Sequence, residues 1–198
     1  MKLVAIGDNC VDYYPATDKS FPGGNAVNVA VYYRRMGGEA AYIGAVGNDK
    51  FGKMMLERLS DKGVDVSRVH VEDGKTAVTY IDLVNGDRVF GDYIEGVMED
   101  FRLNESDFAY IKDFELCFGA IWGHVDADMQ RVKEKGLVTA FDYSDQLNDP
   151  MIASSCPYVD YAFFSEDEKD DEWIKDYMRD IHQRGTKVVI VTRGSNGS

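Results

Sequence analysis

The chain has 198 residues with 44% hydrophobic and 29% charged side chains, the composition of an ordinary globular domain. Its formal net charge of −13 excludes the basic surface on which nucleic acids and anionic membranes are bound. No apolar run approaches the roughly 20 residues of a membrane-spanning helix, and the apolar start is too short for a signal peptide. The three histidines are not spaced as metal-binding histidines usually are, so no zinc site formed by protein side chains is predicted. The cysteines are odd in number and widely separated, which favours a reduced, cytoplasmic protein: Cys10, Cys117 and Cys156.

Short apolar strands and longer helices alternate in the first third of the chain. The predicted elements are strands at 3–6, 11–14 and 40–46 and helices at 26–36 and 50–62. Both helices stop at glycine, at Gly37-Gly38 and at Gly63, as helices commonly do. This order predicts βαβ units around a mainly parallel sheet, and therefore an α/β fold.

The pattern changes after residue 75. Residues 76–84 and 88–93 alternate as strands on either side of Asn85-Gly86-Asp87, which is a strong hairpin signal. A hairpin inserted into an α/β chain is a candidate lid that projects from the main sheet. We therefore predict one domain over residues 1–198, with lid strands at about 10–15 and 76–96.

The alternation then resumes. The predicted elements are strands at 116–121, 138–143, 158–164 and 187–192 and helices at 127–135 and 171–183. The acidic residues 166–172 suit the solvated start of the last helix, where the helix dipole favours negative charge. The apolar run 188–191 is typical of a strand buried on both faces, which needs neighbours. We therefore expect the C-terminal part of this domain to lie beyond Ser198.

Residues 47–54 nearly match the phosphate-binding pattern GxxxxGK[ST]. Met54 occupies the position of the hydroxyl that should bind Mg²⁺, so this interpretation fails where the metal must bind. The segment is interpreted instead as a strand-to-helix turn with Asp49 near the helix cap. No GxGxxG follows the first strand, which disfavours a dinucleotide-binding dehydrogenase.

The segment Gly23-Gly24-Asn25-Ala26-Val27-Asn28 is the most informative in the chain. Paired glycines let a ligand approach the backbone, and the helix that follows offers free N–H groups. Asn28 lies one turn into that helix. Asp12 follows the first strand, where ligands of parallel sheets collect. A carboxylate and an amide together suit the hydroxyl groups of a sugar.

Four segments together resemble the ribokinase (PfkB) carbohydrate kinase family, in the right order: 7–12, 23–28, 46–52 and 191–197. The resemblance covers the whole chain. It implies a three-layer α/β/α domain with a mainly parallel central sheet and a small β lid. It also implies ATP-dependent phosphorylation of a primary hydroxyl, with ATP and Mg²⁺ as cofactors.

Within the family the chain most resembles members that phosphorylate fructosamines such as fructoselysine on the 6-hydroxyl. The segments that carry this likeness are 7–12, 87–93, 95–98, 120–124 and 139–142. The alternatives are a fructokinase, ribokinase or nucleoside kinase of the same family. A non-catalytic sugar-binding or regulatory remnant is the alternative from another class.

The resemblance also implies roles for individual residues. Asp12, Gly24 and Asn28 would hold the sugar hydroxyls, and Asn25 stands where some members have lysine. Glu168 would act on Mg²⁺ indirectly, through water and phosphate. The remaining implied nucleotide-binding positions are Ser165 (an asparagine in the family motif), Thr192, Gly194, Ser195 and Gly197.

A fructosamine adds a secondary ammonium and, in fructoselysine, an amino-acid tail. We expect Asp92 or Glu95 to face the ammonium, Arg88 to meet the carboxylate and Trp122 to pack on the carbon chain. Two neighbours of these residues complete the expected substrate contacts: Phe90 and His124.

No catalytic residue is assigned in this chain, because the family's Gly-Ala-Gly-Asp segment is expected beyond Ser198. The 198 residues alone are therefore expected to be inactive, and detectable turnover from them would contradict this expectation. Apolar positions on the ribbon are expected to pair with a second copy in a homodimer: Val78, Tyr80 and Val89.

Overall fold

A six-stranded parallel sheet forms the centre of the computed structural model, which describes residues 1–84 and 87–198. In spatial order its strands are β12 (Val188–Thr192), β11 (Tyr161–Ser165), β10 (Val138–Asp142), β9 (Leu116–Ala120), β1 (Lys2–Ile6) and β4 (Glu39–Ile43). The strands are short and largely apolar because helices cover both faces of the sheet.

Six helices make the outer layers. They are α1 (Asn25–Arg35), α2 (Lys50–Asp61), α3 (Glu105–Ile111), α4 (Met129–Glu134), α5 (Met151–Ser155) and α6 (Asp171–Gln183). Alternate side chains of β1 enter different cores: Leu3 and Ala5 pack with α1 and α2, whereas Val4 and Ile6 pack with α3 to α6. The predicted three-layer α/β/α architecture is therefore confirmed. No helix in the described part of the chain is long and apolar enough to cross a membrane.

A second sheet of four strands stands beside the central one. Its order is β3 (Lys19–Gly23), β2 (Cys10–Tyr14), β7 (Val78–Val84) and β8 (Asp87–Ile94). Strands β7 and β8 pair antiparallel, as the sequence predicts. The predicted hairpin turn itself, at Asn85-Gly86, lies outside the described residues. Val78 is buried in the core, so it was wrongly expected to be exposed on this ribbon.

The single strand predicted for residues 40–46 is wrong. Strand β4 ends at Ile43, and β5 (Ala45–Gly47) pairs with β6 (His70–Glu72) in a separate two-stranded sheet. Gly44 separates the two strands, and a Cβ on it would lie 2.0 Å from Tyr42 Oη. The predicted strand at 158–164 also begins late, because a 3₁₀ turn occupies Cys156–Tyr158.

Asp49 caps α2 by accepting hydrogen bonds from the N–H groups of Phe51 and Gly52, at 3.1 and 2.8 Å. The same carboxylate accepts from Thr76, which precedes β7. This confirms that the segment resembling a phosphate-binding loop is a capped strand-to-helix turn. The carboxylate also connects α2 to the second sheet.

Candidate functional site

Gly24 precedes α1 with φ +100° and ψ 140°, a conformation that favours glycine. No side chain at this N-cap position satisfies the free N–H groups of α1. Instead, the carboxylate of Asp8, which directly follows β1, accepts hydrogen bonds from the N–H groups of Asn25 and Ala26. The loop after β1 is thereby fixed against the start of α1.

A cavity of about 560 Å³ lies above this junction, between the central sheet and the second sheet. It gathers seven of the ten substrate residues expected from the sequence: Asp12, Gly24, Asn25, Asn28, Arg88, Phe90 and Trp122. Asp12 is held close to the glycine pair, since a Cβ on Gly23 would lie 2.8 Å from Asp12 Oδ1. The Cys10 thiol donates to the same oxygen at 3.6 Å.

Strand β8 contributes three side chains to one wall of the cavity. Thr79 pairs with Tyr93, whereas Ile81 pairs with Phe90, so β8 contains an extra residue between these pairs. Such a bulge changes the direction in which the following side chains point. As a result Arg88, Phe90 and Tyr93 all line the cavity, although simple alternation would place Tyr93 on the other face.

Three expected substrate residues are not among those that line the cavity. Asp92 is exposed on the bulged strand. Glu95, just after β8, is hydrogen-bonded to His124, which follows β9. This pair connects the second sheet to the central domain instead of facing the cavity. His124 has a positive φ of 53°, which marks a tight turn after β9.

Several cavity residues were missed in the sequence. They are Asp8, Cys10, Thr79 and Ser144, whereas Gly23 of the glycine segment and Tyr93 of the hairpin lie in segments that the sequence had singled out. Asp142, at the end of β10, lies just behind two of the lining residues. Its Oδ2 accepts from Asn25 Nδ2 at 2.8 Å, and its Oδ1 accepts from the N–H of Ser144 at 2.8 Å. The signal for Asp8 and Asp142 was available: each stands at the carboxyl end of a parallel strand, where ligands collect.

Burial raises the pKa values of the carboxyl groups at this site. The pKa of Asp8 rises to about 6 because of its burial and, to a smaller extent, the negative charges of Asp142 and Asp12. Burial also raises the pKa values of Asp12 and Asp142. The cavity floor is therefore acidic and poorly solvated.

The residues expected to bind nucleotide lie at the ends of β11 and β12. Ser165 pairs with Thr192 at the carboxyl edge of the central sheet, and Glu168 follows in the next loop. Gly194 and Ser195 belong to a 3₁₀ turn after β12, and Gly197 follows it. The Arg193 side chain joins the two loops, donating to the Lys169 carbonyl at 2.8 Å. The cavity residue Ser144 follows β10, so the two regions share one sheet edge.

Fold and cavity together define an α/β protein with a cavity, lined largely by polar residues, near the carboxyl edge of its central sheet. The chain matches the pfkB family carbohydrate kinases over residues 1–198 and belongs to that family. It is therefore a sugar kinase by class, as its sequence predicts.

Among named relatives, the fructoselysine 6-kinase of Escherichia coli (strain K12) is 46% identical over 196 residues, which are 99% of this chain and 75% of that protein. The fructosamine kinase FrlD of Bacillus subtilis (strain 168) is 36% identical over 205 residues, 100% of this chain and 71% of that protein. A ribokinase of Arabidopsis thaliana, solved with ribose and ATP, superposes with a TM-score of 0.86 at 18% identity. That match covers 98% of this chain and 72% of the ribokinase and confirms the fold.

Proposed function

We propose that this protein transfers the γ-phosphoryl group of ATP to the 6-hydroxyl of a fructosamine such as fructoselysine. The observation that carries the proposal is the cavity, which brings Asp12, Asn25 and Asn28 together with the hairpin residues Arg88 and Phe90. Two of its named relatives are fructosamine kinases, which supports this substrate class over plain hexoses.

In this proposal the sugar lies on the start of α1. Asp12 accepts hydrogen bonds from sugar hydroxyls, and the Asn28 amide both donates and accepts. Gly24 lets the sugar approach the backbone. The half-exposed Trp122 packs on the carbon chain of the substrate, and Arg88 meets its terminal carboxylate.

The loops after β11 and β12 would hold ATP. Ser165 ends β11, one strand spacing (roughly 5 Å) from β10, and Thr192 ends β12, two spacings (roughly 10 Å) from β10. The turn at Gly194–Asn196 follows β12. A nucleotide there would direct its terminal phosphate along the sheet edge toward the sugar. Phosphoryl transfer depends mainly on this positioning and on stabilising the phosphate charge.

The described residues fit a Mg²⁺ ion held mainly by the nucleotide. No group of three or more His, Cys, Asp or Glu residues in the described ranges is placed to hold a metal alone. Mg²⁺ usually keeps water ligands and binds through phosphates and one or two carboxylates. Glu168, exposed in the loop after β11, is the carboxylate that would act through water. The ion would stabilise the charge on the phosphates.

The second sheet would act as a lid over the sugar, because Arg88, Phe90 and Tyr93 form its cavity wall. Closing it would exclude water from the phosphoryl group and limit hydrolysis of ATP.

We also place the protein in the cytoplasm, which is reducing and supplies ATP. This agrees with its three free cysteines. Fractionation that found the protein outside the cytoplasm would contradict this placement.

The direct test is a kinase assay of the full-length protein with ATP, Mg²⁺ and a panel of fructoselysine, fructose, ribose and a nucleoside. We expect fructoselysine to give the highest kcat/KM. Asp12→Asn should lower this kcat/KM by about 100-fold, because a charged acceptor is replaced by an amide. Asp18→Asn is the matched control, since Asp18 is exposed in the turn between β2 and β3. Equal activity of the Asp12 variant and wild type would contradict the proposed site.

We propose that a second copy covers the apolar surface of the lid in a homodimer. Exposed apolar side chains that do not line the cavity cluster on β7 and β8: Leu83, Val84, Val89 and Ile94. Contiguous patches of this kind commonly mark association surfaces. Sedimentation equilibrium should show a dimer for wild type and a monomer for Leu83→Lys, and a monomeric wild type would contradict the proposal.

A further inference from the structure

Carboxylates surround Asn25 on the floor of the cavity. We call Asp8, Asp12 and Asp142 the acidic wall. Asn25 lies between two of its members, since its N–H donates to Asp8 and its side-chain amide donates to Asp142 Oδ2 at 2.8 Å. The amide is neutral, so it orients the Asp142 carboxylate without cancelling its charge.

Positive charge is scarce at this wall. Among the described residues that line the cavity, Arg88 alone carries a full positive charge, and it stands on the opposite wall, on β8. No ion pair between described residues involves Asp8, Asp12 or Asp142. Burial raises the pKa values of all three carboxyl groups, and the charge of Arg88 opposes this rise at Asp12. Asp8 and Asp142 therefore lack a counter-cation among the described residues.

The three carboxylates are not equivalent. Asp8 is only 6% exposed, and its charge is committed to the N–H groups at the start of α1. Asp12 is the expected acceptor for sugar hydroxyls. Asp142, at the end of β10, is less buried than Asp8 and lies directly behind the lining residues Asn25 and Ser144, whose neutral groups donate to its two carboxylate oxygens. Because neither of these neutral residues cancels it, the negative charge of Asp142 acts on a ligand that lies beside Asn25 and Ser144.

We propose that Asp142 is the specificity-determining residue that favours an aminated, cationic sugar over a neutral one. The substrate ammonium lies beside Asn25 and Ser144, where it neutralises the acidic wall. This inference rests on the proposed function and assigns the counter-charge for its substrate. It also replaces the sequence expectation for the ammonium, because Asp92 is exposed to solvent and Glu95 is hydrogen-bonded to His124.

The test compares binding of fructoselysine and fructose to the full-length protein by calorimetry. Asp142→Asn removes the charge and keeps the shape, and should weaken fructoselysine binding by about 10-fold or more while changing fructose binding by about 2-fold or less. Asn25→Lys supplies an internal cation and should produce the same selective loss. Asp145→Asn is the matched control, since it makes the same charge change at an exposed position three residues further on.

Each outcome has a distinct meaning. Equal weakening of both sugars by Asp142→Asn, or an equal effect of Asp145→Asn, would overturn this inference and leave the kinase proposal intact. Failure of wild type to bind either sugar would overturn the proposed function and this inference together. If circular dichroism shows that Asp142→Asn does not fold, Asn25→Lys provides the test. Its ratio of fructoselysine affinity to fructose affinity is then compared with the ratio for wild type.

The pH dependence of binding gives an independent readout. Because the pKa of Asp8 is raised to about 6 beside Asp12 and Asp142, the wall becomes more negative as pH rises through that value. Wild-type affinity for fructoselysine should therefore increase between about pH 5 and pH 7.5, whereas affinity for fructose should stay nearly constant. A flat profile for fructoselysine would contradict the ammonium assignment.

Discussion

Replacing Gly24 by alanine is expected to abolish sugar phosphorylation and to lower the free energy of unfolding by about 3 kcal/mol or more. Gly24 has φ +100°, which an L-residue adopts only with strain. A Cβ there would also lie 2.6 Å from Asn9 Cα and 2.9 Å from the Asp8 carbonyl oxygen. Both contacts are with backbone, so no side chain can move aside. Urea denaturation and the kinase assay measure the two effects.

The same helix offers a matched control at its other end. Gly37 has φ +90°, and a Cβ on it would meet nothing within 4 Å. Gly37→Ala therefore tests backbone strain alone, and should cost about 1 kcal/mol with activity retained. If the two variants were equally destabilised, the close approach of the β1 loop to Gly24 would not matter, and the packing argument would fail.

This close approach links the fold to the site. Because Gly24 lacks a side chain, the loop after β1 reaches the start of α1, and the Asp8 carboxylate can cap that helix. The same contact brings Asp12, four residues along the chain from Asp8, next to Gly23. The cavity floor therefore depends on both glycines: Gly24 lets two segments of backbone meet, and Gly23 leaves room for the side chains of Asp12 and Cys10.

Much of the central domain could be predicted from local pattern. Helix α6 spans 171–183 as predicted, because its apolar residues recur at helical spacing and Asp170 caps its start. The strands at the sheet centre are continuous apolar runs, since both of their faces are covered. Periodicity and capping are set by residues that are close together in the chain. These elements can therefore be predicted without knowledge of distant contacts.

The missed strands depend on distant contacts, whereas the missed helix does not. Strand β3 contains Pro22 and exists because it pairs with β2. Strand β6 is three residues long and is held by β5. Helix α3 had a local signal, the capping box of Asn104 and Asp107, which was overlooked. Short strands have too little pattern of their own, so the partner decides whether they form.

The site could be predicted only in part for the same reason. The cavity-lining positions near the glycine pair follow from motif spacing. The Asn25–Asp142 contact joins residues separated by 117 positions, and the β8 bulge that turns Tyr93 inward has no local signature. The pairing of Glu95 with His124 likewise could not be seen in the sequence, and it removes from the cavity a carboxylate that was expected there.

A buried ion network away from the cavity gives the second large prediction. Asp160 is only 3% exposed and forms ion pairs with Lys133 of α4 and with Lys187, the latter at 2.8 Å. It also accepts from the N–H of Thr139 on β10 at 2.9 Å. This carboxylate therefore joins α4, β10 and the segment before β12. Because the charge is buried and fully partnered, Asp160→Asn should lower the free energy of unfolding by about 3 kcal/mol at neutral pH.

The pH dependence of this loss has a definite sign. Burial alone would raise the pKa of Asp160, but hydrogen bonds from Lys133, Lys187 and Thr139 outweigh it and hold the pKa well below its usual range. The native state therefore binds a proton less readily than the unfolded state, so the stabilisation is present above about pH 4 and is lost as pH falls below it. The difference in the free energy of unfolding between wild type and Asp160→Asn should accordingly shrink in acid.

Asp176→Asn is the control, because it breaks an exposed ion pair with Arg179. It should change the free energy of unfolding by about 0.5 kcal/mol or less. A pH-independent difference for Asp160→Asn would show that the charge of Asp160 does not stabilise this part of the sheet.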